Sequence, residues 1–129
     1  MRIDAQSHVP VYLQIAAGLR NAVARGVYRP GEALPSVRAL AVELGVNPNT
    51  VQRAFESLEG EGLIGARRGR GMFVRDRGPL AAKTRADAAL AQSFETAIRS
   101  GFAANLSADR IRDLFESVLA RLTSLGARK

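Results

Sequence analysis

The sequence predicts a mainly α-helical chain with a small β wing: an N-terminal winged helix-turn-helix over residues 1–77, followed by a two-helix tail over 78–129. Three observations carry this. Two short amphipathic segments meet at a Gly45-Val46-Asn47-Pro48 junction; two strand-like runs flank Arg68-Gly69-Arg70; and helical periodicity returns beyond Gly78-Pro79.

In chain order, Val9 to Arg25 reads as an amphipathic helix, with Tyr12, Ile15, Leu19, Ala22 and Val23 at three- and four-residue intervals and Gly26 as its stop signal. Pro30-Gly31 reads as a turn, and Ala33-Leu34 is long enough only for a scrap of strand. Ser36 can cap a helix whose apolar face is Val37, Leu40, Ala41 and Leu44, and Gly45 ends it. Asn47 is a strong N-cap for the next helix and Pro48 suits its first position, while Val46 and Val51 occupy the two places of a hydrophobic staple. That helix buries Val51, Ala54, Phe55 and Leu58 and leaves Asn49, Thr50, Gln52, Arg53 and Glu56 outside. Gly60 and Gly62 close it.

The period then changes. Leu63 to Arg67 and Gly71 to Arg75 are short strands on either side of the Arg68-Gly69-Arg70 tip. Gly78-Pro79 is expected to break the chain and mark a boundary. Beyond it, Thr84 to Phe102 is helical, with Leu90, Phe94, Ala97, Ile98 and Phe102 at helical spacing. Ser107 caps a last helix, Asp109 favours its positive end, and Leu106 with Ile111 can form a second staple. Its stripe of Ile111, Leu114, Phe115, Val118, Leu119 and Leu122 is flanked by Arg110, Arg112, Asp113 and Arg121. Two such helices cannot enclose their apolar faces within so short a segment. The cheapest cover is the same pair from a second copy, giving a small bundle and a C2 dimer.

A helix-turn-helix presents the start of its second helix to base edges in the major groove. The groups at that end here are amide, hydroxyl, amide and guanidinium. Asn and Gln pair with adenine, Arg with guanine, and Thr offers a hydroxyl or a methyl contact. A plain helical hairpin with a solvated face fits the same turn chemistry, so the wing decides between the two. There Arg67, Arg68, Arg70, Arg75 and Arg77 are opposed only by Asp76, and the glycines let backbone approach a phosphate or enter a minor groove. Behind a helix-turn-helix, a nucleic-acid partner is favoured over a solvated loop.

Composition agrees. The formal net charge is +7 over 129 residues, a balance suited to polyanions. Of the 19 basic residues only Lys83 and Lys129 are lysine, and Arg is the better bidentate partner for phosphate and guanine, although GC-rich coding gives the same bias. There is no cysteine, which excludes disulfides, Cys-ligated zinc and thiolate catalysis and suits a reducing cytosol. No apolar run reaches membrane-spanning length. The expected location is the cytoplasm, with no membrane partner.

The combined motifs, Pro10-Val11-Tyr12-Leu13-Gln14-Ile15, Gly31 through Leu40, Val46 through Val51, and Leu58 through Leu63 with the Arg67-Arg68-Gly69-Arg70-Gly71 wing, resemble the GntR family of bacterial transcription regulators and, within it, the short YtrA-like subfamily. The resemblance covers roughly residues 9–76; the tail matches by length and helical character only. It implies a homodimer on duplex DNA at an inverted repeat, with phosphate or base contacts from Arg38. It also implies contacts from Asn47, Asn49, Thr50, Gln52 and Arg53, and minor-groove insertion around Gly69. The candidate DNA-contacting set is therefore Ser36, Arg38, Asn47, Asn49, Thr50, Gln52, Arg53, Arg67, Arg68, Gly69, Arg70 and Gly71. The candidate dimerisation set is Leu90, Phe94, Ile98, Phe102, Ile111, Leu114, Phe115, Val118, Leu119 and Leu122. Some branches carry Arg where this chain has Pro48, so their base preference does not transfer. Other branches carry large ligand-binding or aminotransferase-like domains, for which this tail is too short. Relatives in this subfamily often sit beside transporter genes, which suggests a target class.

An enzyme is not expected. His8, the only histidine, lies in a segment expected to fray; Glu59 and Glu61 near a helix end read as solvated charge; no triad, metal cluster or phosphate loop is visible, and neither metal nor cofactor is called for. A different class, an interaction module whose tail clamps another protein, fits the same helices. Phe94, Phe102 and Phe115 could also line a pocket for a small-molecule effector between tail and winged helix, although their helical spacing reads as ordinary core.

Overall fold

The computed structural model describes residues 1–125. The last part of the expected dimerisation region, 126–129, lies outside the described residues, as does the lysine at its end. The elements are α1 Val11–Ala24, α2 Val37–Leu44, α3 Pro48–Gly60, β1 Ile64–Arg67, β2 Gly71–Val74, α4 Gly78–Ala103 and α5 Ala108–Ser124. They form two compact units, Met1–Asp87 and a second that begins at Ala88, so the division falls inside α4.

In the first unit, α1, α2 and α3 enclose one core. Ile15, Leu19 and Val23 from α1 meet Leu40 and Ala41 from α2 and Val51, Ala54, Phe55 and Leu58 from α3, all buried. The antiparallel ribbon β1–β2 closes the open end with Leu63, Ile64 and Val74, and pairs Ile64 with Val74 through to Arg67 with Gly71. The expected scrap of strand is a single bridge, Ala33 to Phe73, extended by Gly31 N–H to Val74 C=O (2.8 Å) and Leu34 N–H to Met72 C=O (2.9 Å).

Gly78-Pro79 does not break the chain. α4 starts there, because Pro in a first helical turn has no hydrogen bond to lose. Gly78 is itself buried: a Cβ at that position would lie 2.7 Å from the Leu63 carbonyl oxygen and 3.0 Å from Val74 Cγ1. The glycine is a packing residue, and the helix expected from Thr84 begins at Gly78.

Within the second unit, α4 ends in a reversal where Leu106 N–H reaches Gly101 C=O (3.0 Å) and Asn105 adopts φ 66°. The turn brings Phe94 and Phe115 together edge to face, with ring centroids 5.7 Å apart. Ile111 packs directly on Gly101, where a Cβ would meet Ile111 Cδ1 at 2.9 Å. No residue of α5 is buried.

Candidate nucleic-acid interface

The reading head is built by local chemistry. Ser36 accepts a hydrogen bond from Ala39 N–H (3.0 Å) and starts α2; Gly45, in the left-handed region at φ 68°, ends it, with Val46 N–H on Ala41 C=O (3.0 Å). Asn47 then caps α3 by accepting from Asn49 N–H (2.8 Å), and Pro48 follows at the first helical position. Val46 packs on the core beside buried Val51, which fixes the angle at which the chain enters α3. Capping thus occupies the Ser36 hydroxyl oxygen and one amide oxygen of Asn47, and leaves the Asn47 NH2 free to donate.

With Val51, Ala54, Phe55 and Leu58 turned inward, Asn49, Gln52 and Arg53 are exposed and Thr50 is half-buried. Gln52 Nε2 lies 3.4 Å from Glu56 Oε2, so the carboxylate one turn on faces the amide. Arg53 lies over the Tyr12 ring of α1, its Cζ 4.0 Å from the ring centroid. Arg38 is exposed on α2.

The wing turns at Arg67–Arg70, closed by Arg70 N–H on Arg67 C=O (2.9 Å), with Gly69 at φ 74° supplying the positive torsion that a type II turn needs at its third residue. Arg67, Arg68 and Arg70 are exposed, and none has a carboxylate partner among the described residues. Arg67 stacks on the diagonal cross-strand ring of Phe73, Cζ to centroid 3.9 Å. The first unit therefore gathers the whole candidate DNA-contacting set onto the α2 start, the α3 start and one ribbon tip.

Two anchors hold this head, and the sequence reading found neither. Glu61, read as solvated charge, is only 15% exposed and takes a two-pronged pair from Arg20 of α1, at 2.9 and 2.7 Å, with Arg85 of α4 at 3.9 Å. The segment expected to fray is tied to α1: Gln14 accepts from Asp4 N–H (2.7 Å) and donates to Asp4 C=O (2.8 Å) and Val9 C=O (2.9 Å). His8 stays exposed within it.

The candidate dimerisation set lies in the second unit. Leu90, Phe94, Ile98 and Phe102 on α4, and Leu114, Phe115, Val118, Leu119 and Leu122 on α5, are exposed, and Ile111 is half-buried. The phenylalanines are not ordinary core within one chain: Phe94, Phe102 and Phe115 are 41%, 54% and 43% exposed. They line an apolar groove of about 690 Å³ formed by α4, α5 and Leu106 of the turn between them.

Residues 11–74 match the model for bacterial regulatory proteins of the gntR family. Among solved structures, YtrA from Sulfolobus acidocaldarius, a GntR-family transcription factor, is similar over 95% of this chain and 99% of its own at 31% identity, with a TM-score of 0.56. The chain belongs to the GntR family of transcription regulators. A GntR family transcriptional regulator from Listeria monocytogenes aligns with 89% of the chain and 98% of its own length at 28% identity and a TM-score of 0.74. The HTH-type transcriptional repressor YtrA of Bacillus subtilis is 42% identical over 76 residues, 59% of this chain and 58% of that relative. The chain thus spans under two thirds of that relative's length.

Members of the GntR family of this kind are regulators and not enzymes. The family match runs from α1 through β2, which takes in every candidate DNA-contacting residue and stops short of every candidate dimerisation residue. No helix among the described residues is long and apolar enough to cross a membrane.

Proposed function

We propose that this GntR chain is a cytoplasmic, sequence-specific DNA-binding repressor that acts as a homodimer on an inverted-repeat operator, with transporter genes as its target class. One observation carries the reading. The exposed amides of Asn49 and Gln52 at the start of α3 share a unit with a ribbon tip whose arginines have no acidic partner among the described residues. Amides read bases, and unpaired guanidinium groups bind phosphates and narrow minor grooves.

The second unit supports the dimer. Two helices that bury nothing on α5 and expose a phenylalanine-rich groove leave apolar surface that an identical pair would cover isologously. Two heads joined in this way would meet half-sites related by the same two-fold axis. A small-molecule effector seated on the same phenylalanines would compete with the second copy for this groove.

The test combines selection of bound duplexes from genomic fragments with light scattering on the purified chain. A dimer that retains inverted repeats over random duplex at moderate salt supports the proposal. A protein indifferent to every duplex at low salt sinks it, and a monomer that pairs only with a different chain supports the clamp reading instead.

A further inference from the structure

Arg53 is the one outward residue at the start of α3 whose side chain is held by another helix. Its guanidinium lies over the Tyr12 ring, with Cζ 4.0 Å from the centroid, and Tyr12 is half-buried in the first turn of α1 against the core. No carboxylate lies within ion-pair distance of Arg53 among the described residues, since Glu56 faces Gln52 and Glu61 is taken by Arg20 and Arg85. A ring face compensates little of a cation's charge, so that charge remains available to an anion. No side-chain hydrogen bond among the described residues engages the Arg53 N–H donors, which leaves the fork that fits a phosphate available. The contact turns the guanidinium toward α1.

We infer that Arg53 is a phosphate clamp rather than a base reader, and that Tyr12 is its positioning residue: the ring holds the guanidinium edge toward a backbone phosphodiester beside the bases met by Asn49 and Gln52. This rests on the DNA-binding reading and adds that α1, outside the helix-turn-helix, sets one of its contacts.

The test uses the full chain and two fluorescein-labelled duplexes of equal length, one recovered by selection and one scrambled, titrated across a salt series with thermal melting alongside. R53Q should weaken both duplexes by the same factor and lower the slope of log affinity against log salt by about one, as for one lost phosphate contact. Y12F, which keeps a ring, should bind within about twofold of the parent, and Y12L should weaken binding about threefold to fivefold, the span of one cation–π contact. In the R53Q background, Y12L should change nothing further. Should Y12L melt too low to assay, R53K carries the test: it keeps the charge without the flat fork and should weaken both duplexes alike with melting unchanged. Equal loss from Y12L in both backgrounds reduces Tyr12 to a core residue, and an R53Q chain that no longer tells the two duplexes apart makes Arg53 a base reader. Either result overturns the inference while the regulator reading stands; a parent chain that binds neither duplex overturns the regulator reading itself.

Discussion

At the scale of single residues, Gly78 shows how a missing methyl group can fix where a helix starts. Its backbone passes so close to the Leu63 carbonyl that a Cβ would sit 2.7 Å from the oxygen, and that oxygen already accepts the Arg75 N–H at 2.9 Å. Gly78→Ala must therefore shift either the β2 exit or the first turn of α4. Overpacking of this kind costs about 1–3 kcal/mol, and at roughly 4–8 °C per kcal/mol in a unit of this size the melting transition should fall visibly in differential scanning calorimetry. An unchanged transition would mean that the two segments separate easily. Side chains on the proposed DNA face should behave in the opposite way, leaving stability alone and altering binding. Arg70→Ala should weaken all duplexes and flatten the salt dependence by about one unit, as expected for one phosphate contact. Gln52→Ala should leave the salt dependence unchanged and relax base preference; fluorescence polarisation on matched and mismatched duplexes separates the two behaviours. The Glu61 pairing was invisible in the sequence for a plain reason. Its partners are Arg20 and Arg85, on other helices, and no local spacing links an acid to bases that only the folded core brings near.

At the scale of elements, the helix-turn-helix and the wing were legible because their determinants are local. Ser36, Gly45, Asn47, Pro48 and the staple valines act within one turn of the chain, and the torsions they require are the ones found. The start of α4 was not legible, since Gly-Pro breaks a chain in most contexts and only its packing against Leu63 and Val74 converts it into a helix start. The same locality lets capping and contact be separated at Asn47, an exposed residue whose side-chain oxygen holds Asn49 N–H. Asn47→Ala should cost about 1 kcal/mol of stability through the lost cap. Asn47→Asp keeps an accepting oxygen and places a negative charge at the helix N-terminus, so stability should hold or rise slightly. That charge would face the phosphates, and duplex affinity should fall by about tenfold or more, as like-charge contacts at an interface cost several kcal/mol. Paired melting and binding curves check this; a loss of stability in Asn47→Asp would show that the amide NH2 has a structural partner.

At the scale of the whole molecule, the second unit leaves an apolar face open. Phe94 and Phe115 meet edge to face, yet each keeps about two fifths of its surface exposed, and Val118, Leu119 and Leu122 continue the face along α5. The sequence stripe announced this surface, and the shortness of the segment already implied that one pair of helices would not enclose it; the structure adds how little α4 and α5 cover each other. Phe115→Glu places a carboxylate in the middle of the face. The variant should elute as a monomer in light scattering and the parent as a dimer, while the core of the first unit, which contains none of these residues, should melt as before. Its affinity for an inverted-repeat operator should fall by about 10²-fold or more, since the second head no longer binds at the high effective concentration that a shared tail provides. Its affinity for a single half-site should be unchanged. If Phe115→Glu remains a dimer, the face is covered by something other than its own copy and the link between tail and operator fails; if it becomes a monomer and still binds the full operator as tightly as the parent, the two heads never acted together.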